Sequence, residues 1–170
     1  LVGLPQATNT AVALTMLDCA GDPFRISLED AALILPEILV PGRFDRRGKF
    51  ILDVAHNPEG IAALVETLEA VEPTRPIVAV LGVLRDKDWR EMMRRLCPFV
   101  DRTIITSPFS APMNRAWNPD EATAFANTNG WPSEKITNLG AALQTAANGA
   151  STVVVTGSFH TVGDALTALV

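Results

Sequence analysis

The hydrophobic pattern changes character near Pro41. Before it, two stretches carry apolar residues at helical spacing. "NTAVALTMLDCAG", Asn9–Gly21, predicts a helix with Gly21 as its C-terminal cap. "SLEDAALILPEI", Ser27–Ile38, predicts a second, with Ser27 as N-cap and acids in its first turn. After Pro41 short apolar runs alternate with amphipathic segments. Phe50–Asp53, Ile77–Val83, Thr103–Ser107, Lys135–Asn138 and Thr152–Gly157 read as strands. Helices are predicted to start near Pro58, Trp89, Pro119 and Leu139, and a last one follows His160. "RFDRRGKFILD" adds a short hairpin turning at Arg47-Gly48.

Strand–helix alternation with short apolar strands predicts an α/β fold. It is a Rossmann-like, mostly parallel sheet of about six strands with helices on both faces, preceded by two helices. The helix starts carry their own chemistry. Asn57-Pro58 and Asn118-Pro119 place a capping amide before a proline at the first helical position, and Asp88 and Glu91 have capping-box spacing. Val40-Pro41-Gly42 reads as a linker, so residues 1–39 and 40–170 form separate regions. No repeat of fixed period and no low-complexity tract is present.

Composition narrows the class. The 170 residues are 48% apolar and 19% charged, which suits a globular chain with a real core. No apolar run reaches the roughly 18 residues of a membrane span. The first residue is Leu1 and no basic segment precedes an apolar one, so the reading is a fragment or a processed chain rather than a signal peptide. Cys19 and Cys97 have no metal or redox spacing and are expected to be reduced core thiols of a cytoplasmic protein. A net charge of −5 disfavours nucleic acid as the main partner. Positive charge is nevertheless clustered: six of the 14 Lys and Arg lie between Arg85 and Arg102, and four more between Arg43 and Lys49. Those clusters are either solvated faces or a local attraction for an anion.

In open parallel sheets, ligands bind beyond the C-terminal ends of the strands. The first predicted strand runs there into Asp53, His56 and Asn57, the second into "RDKD", the third into "SPFSAPMNRAW", and the last into Ser158, His160 and Thr161. Each also has a structural reading. Asp53 can cap a turn, Asn57 a helix, and His56 can be a hydrogen-bonded turn residue. Ser158 and His160 can open the last helix, and "LRDKDW" can be a loop with a cap. No G-x-x-x-x-G-K-[ST] phosphate loop, metal cluster or Ser-His-Asp order is present.

"PGRFD", "ILDVAHNPEG", "VLGVLRDKDW" and "VVTGSFHTVGDAL", in this order, resemble the C-terminal region of folylpolyglutamate synthase/dihydrofolate synthase, of the Mur ligase superfamily. "LPQATNTAVAL" resembles the end of that family's central ATPase domain, although no His precedes its Gln. The resemblance implies an ATP-dependent ligase joining L-glutamate to folate or dihydropteroate through an acyl phosphate, with ATP and magnesium bound by the full-length enzyme. It implies ATP contacts for Asn9, Arg43 and Asp53, and a place at the glutamate or acyl-phosphate end for His56 and Ser158. It gives His160 no role. The family's phosphate loop, metal ligands and pterin-binding region have no counterpart here, so this chain alone is expected to be inactive and to need the missing N-terminal and central domains. Two other readings stand beside it: another Mur-type ligase, of the peptidoglycan or cyanophycin branch, and a non-catalytic α/β ligand-binding module.

Overall fold

The computed structural model describes Leu1–Leu169. The chain divides into two compact units, Leu1–Val40 and Pro41–Val170. The first holds α1 (Leu4–Ala20), α2 (Leu28–Ile34) and a 3₁₀ turn over Leu35–Glu37. Helix α1 begins five residues before the expected Asn9. Pro5 sits in its first turn, where a missing N–H costs nothing, and so does not stop the helix. Ser27 accepts the Asp30 N–H at 3.0 Å as the N-cap of α2, and Gly21 caps α1 at φ +71°. None of the 17 residues of α1 is buried, and α2 buries only Ala31. Cys19, expected in a core, is exposed.

The second unit is a six-stranded sheet in the order β1-β2-β6-β3-β4-β5. Its strands are β1 (Asp45–Arg47), β2 (Phe50–Leu52), β3 (Ile77–Leu81), β4 (Arg102–Ile105), β5 (Ser133–Lys135) and β6 (Thr152–Thr156). The helices are α3 (Pro58–Val71), α4 (Trp89–Leu96), α5 (Pro119–Thr128), α6 (Leu139–Gly149) and α7 (Phe159–Ala168). Only the β1–β2 hairpin is antiparallel. Arg47 pairs with Phe50, so the hairpin turns at Gly48-Lys49, one residue later than expected.

Strands β3 and β6 are buried along their whole length, as parallel strands covered on both faces must be. Their side chains alternate between two cores. Ile77, Ala79 and Leu81 pack with α3, α4 and α5, whereas Val78 and Val80 pack with α6 and α7. Each fully buried aliphatic side chain contributes about 1.5–3 kcal/mol. The β2-to-β3 connection runs one way along the sheet and the β5-to-β6 connection runs back. Handedness therefore puts their helices on opposite faces. Central β6 leads into α7 on one face, while its neighbours β2 and β3 lead into α3 and α4 on the other. The sheet thus opens a crevice at the C-terminal end of β6.

Strand β5 departs from expectation. The strand covers Ser133–Lys135, and Ile136 lies just past it with its N–H on the Ile105 carbonyl at 3.0 Å. The basic run between Arg85 and Arg102 is largely a solvated face. Arg94 and Arg95 pair with Glu91, Arg90 with Glu121, and Arg102 with Glu134. Asp88 caps α4 by accepting the Glu91 N–H at 3.1 Å, while the Glu91 carboxylate turns to those two arginines.

Candidate functional site

The site is built at that crevice. Gly42, Arg43 and Phe44 form a tight turn lying against the end of β2. Gly42 has φ +70°, and a Cβ there would sit 2.9 Å from Val54 and 3.0 Å from Val162. Phe44 is buried and left-handed at φ +49°, a costly conformation for an aromatic residue. Asp53 holds the turn in place. One carboxylate oxygen accepts the Phe44 N–H at 2.9 Å and the other the Ala55 N–H at 2.9 Å. The Val54 N–H closes the turn onto the Gly42 carbonyl at 2.8 Å. The Arg43 backbone is thereby fixed, while its side chain stays exposed and makes no ion pair among the described residues. Burial pushes the Asp53 carboxyl above its ordinary 3.8, against the pull of the two N–H groups and the Arg43 charge.

His56 lies half-buried three residues on. Its Nδ1 is 3.0 Å from the Val54 carbonyl. A carbonyl only accepts, so Nδ1 carries the proton and Nε2 is left as the ring's free atom. Asn57 then caps α3, its side-chain oxygen accepting the Gly60 N–H at 2.7 Å.

From β6 the chain enters α7 through Gly157 and Ser158. Gly157 has φ +110°, and a Cβ there would lie 2.6 Å from the Gly82 carbonyl oxygen, so β6 and β3 meet where only glycine fits. Ser158 is buried. Its Oγ accepts the Thr161 N–H at 3.0 Å and lies 2.8 Å from Thr161 Oγ1, which donates to the Gly82 carbonyl at 2.7 Å. With Thr161 Oγ1 as donor to Gly82, the Ser158 hydroxyl donates to Thr161. Ser158 therefore shapes the N-terminus of α7, with both of these hydrogen bonds inside the protein. His160 Nδ1 sits 3.0 Å from Ser110 Oγ, and buried Asp164 accepts the Ser110 N–H at 3.1 Å, so α7 clamps the loop after β4.

Arg43, Asp53, His56 and Ser158 are all carried by the C-terminal ends of adjacent strands β2 and β6 or the turn held against them. Asn9 lies exposed on α1 in the other unit. Sequence reading missed Phe159. Its ring centroid is 5.2 Å from that of His56, and the Arg43 guanidinium carbon is 5.9 Å from the same ring. Thr161 was read only as a polar residue after the last strand, not as the partner of Ser158 and Gly82. For a nucleotide the chain offers an unpaired guanidinium and the N-termini of α3 and α7, which favour anionic groups. Among the described residues no three His, Cys, Asp or Glu side chains gather to hold a metal.

The order of the strands and the two helical layers define a doubly wound α/β unit. Residues 42–159 match the family described as Mur ligase, glutamate ligase domain, and the chain belongs to the Mur ligase family. It is 30% identical over 166 residues to dihydrofolate synthase/folylpolyglutamate synthase of Escherichia coli, covering 94% of this chain and 37% of that protein. Mycobacterium tuberculosis folylpolyglutamate synthase, crystallised with ADP and AMPPCP, superposes at a TM-score of 0.84 with 30% identity, over 99% of this chain and 41% of that one. A UDP-N-acetylmuramoyl-L-alanyl-D-glutamate–2,6-diaminopimelate ligase of Caldanaerobacter subterraneus is 33% identical over 129 residues, 72% of this chain and 25% of its own length. The chain thus spans well under half the length of these relatives.

Proposed function

We propose that this chain is the C-terminal part of an ATP-dependent ligase adding L-glutamate to folate or dihydropteroate, and that it supplies part of the ATP and glutamate site. The observation that carries the reading is the convergence of Arg43, Asp53 and His56 at one crevice, in a chain whose relatives are folylpolyglutamate synthases, one of them crystallised with adenine nucleotides. Residues 1–39 are the helical tail of the central ATPase domain in this reading, and Asn9 reaches the nucleotide from there. The phosphate loop and the magnesium ligands come from the rest of the enzyme, which works in the cytoplasm.

The chemistry is acyl transfer. A carboxylate oxygen of the acceptor attacks the γ-phosphorus of ATP and ADP leaves. The glutamate amine then attacks the acyl carbon, loses a proton, and phosphate departs, leaving an amide. Arg43 pairs with phosphate oxygens. Asp53 fixes the turn that presents Arg43, and each of its oxygens keeps a lone pair for a ribose hydroxyl. With both ring nitrogens protonated, Nδ1 held by the Val54 carbonyl, His56 donates its Nε2–H to the glutamate carboxylate or to the developing oxyanion. Ser158 sets the position of the α7 N-terminus beside it.

The test is steady-state kinetics on the full-length ligase with ATP and glutamate varied separately. Charge-assisted hydrogen bonds are worth about 1.5–3 kcal/mol. Arg43→Ala and Asp53→Asn should each raise the KM for ATP roughly ten- to hundredfold, with glutamate affected less. His56→Ala should leave ATP binding nearly intact and impair kcat or glutamate dependence. Unchanged ATP dependence in Arg43→Ala would remove Arg43 from the nucleotide site. The 170-residue chain alone should show no glutamate-dependent ATP hydrolysis, and turnover by it would sink the partial-site reading. The similarity to a diaminopimelate ligase favours a second reading, another Mur-type amino-acid ligase. Competition between glutamate and diaminopimelate in the same assay separates the two.

A further inference from the structure

Phe159 is the first residue of α7 and is 56% exposed, an unusual place for a phenylalanine at the mouth of a polar crevice. Helix packing does not account for it, since α7 buries Thr161, Val162, Asp164 and Ala165 instead. What the ring does touch are two side chains that belong to the proposed reaction. The His56 ring lies 5.2 Å away, tilted by 46°, and the Arg43 guanidinium carbon is 5.9 Å from the ring centroid, at the outer edge of cation–π range. The two come from opposite ends of a nine-residue hairpin and turn, Arg43 before β1 and Asp53–His56 after β2. They share no hydrogen bond with each other.

We propose that Phe159 is a positioning residue that couples Arg43 to His56. One ring serves as the resting surface for both side chains, so the nucleotide half and the amino-acid half of the site share a wall. The proposal rests on the function stated above, which gives Arg43 and His56 their roles. Gly157 and Ser158 make the wall rigid. Their close fit to Gly82 and Thr161 fixes the start of α7, and with it the ring's Cα position.

Two measurements test this, and they fail separately. In the first, His56 ring-proton resonances are followed by NMR in the 170-residue protein. Removal of the aromatic ring current in Phe159→Leu and Phe159→Ala should displace them, while Phe159→Tyr should hold them near their original positions. Resonances that stay in place in both ring-less variants overturn the proposal, whatever the enzyme does. In the second, the full-length ligase carries the same substitutions. An exposed cation–π contact is worth about 0.5–1 kcal/mol, so Phe159→Leu should raise the KM for ATP about two- to fivefold. It should also lower kcat through His56, and Phe159→Tyr should restore both. The effect on ATP should vanish in an Arg43→Ala background, and Arg43→Ala and His56→Ala should cease to be coupled once the ring is gone. Independent, multiplicative effects in all backgrounds overturn the coupling. A full-length wild type without ATP-dependent ligase activity refutes the proposed function and leaves the NMR result to judge the contact.

Discussion

Helix α1 is more apolar than helix α4, yet α4 is the one that is buried. The 17 residues of α1 bury nothing, while α4 buries Trp89, Met92, Met93 and Leu96 out of eight. The reason is arrangement and partner: the apolar residues of α4 gather on one face, whereas those of α1 are spread round the helix. α4 lies over a sheet face that presents Ile77, Leu81 and Ile105. The first unit has no sheet, and the apolar groove of about 320 Å³ lined by Leu14, Leu17, Ile34 and Ile38 is left open. Hydrophobic side chains specify a core only where a second layer meets them.

The two cysteines, one in each unit, give the largest expected contrast. Burial raises the Cys97 thiol to about 11, whereas Cys19 is exposed. At pH 8 only about one Cys97 in a thousand is thiolate, and the reagent cannot reach it. A colorimetric thiol reagent should therefore titrate one equivalent promptly and the second only in denaturant. Prompt reaction of both would show that the second core opens readily. Truncation gives the next contrast. Ile104→Ala, fully buried on β4, should cost about 2–5 kcal/mol in denaturant unfolding. Met16→Ala, 68% exposed on α1, should cost within about 0.5 kcal/mol. A comparable loss for both would mean that α1 finds a burying surface in solution.

The smallest effect belongs to Asp53. Its carboxyl titrates above 3.8 in the folded protein because burial outweighs its hydrogen bonds. The folded state then holds a proton that the unfolded state has released. Its contribution to stability is complete below 3.8 and is lost as pH rises through the folded value. Asp53→Asn should flatten that part of the stability profile, while lowering stability throughout because its amide cannot accept from both Phe44 and Ala55. An unchanged profile would mean that the carboxyl is better solvated than its surroundings indicate.

Much of the α/β unit was legible because its signals are local. β3 is an unbroken apolar run, β6 is three valines between threonines, and Asn57, Asp88 and Asn118 each accept a backbone N–H as helix caps. β5 was misplaced by two residues at its start because Ser133–Lys135 is a polar edge strand, and the one apolar cue, Ile136, falls just beyond it. The cores were harder. Cys19 carries a core-like pattern with nothing in its unit to bury it. At the site, the clustering of Asp53, His56 and Ser158 followed from strand ends alone. The Asp53 grip on the Phe44 N–H, the His56 tautomer and the Phe159 ring did not, because they depend on turn geometry or on contacts between residues about a hundred positions apart.

The place of β6 has a consequence for how the molecule is made. The last strand in the chain is the central one of the sheet: Phe50 pairs with Val153 on one side and Ile77 with Thr152 on the other. Without β6, β1-β2 and β3-β4-β5 have no ladder between them. These long-range pairings close late and slowly. The same strand delivers Ser158 and Phe159, so the crevice requires the pairing that joins the two halves.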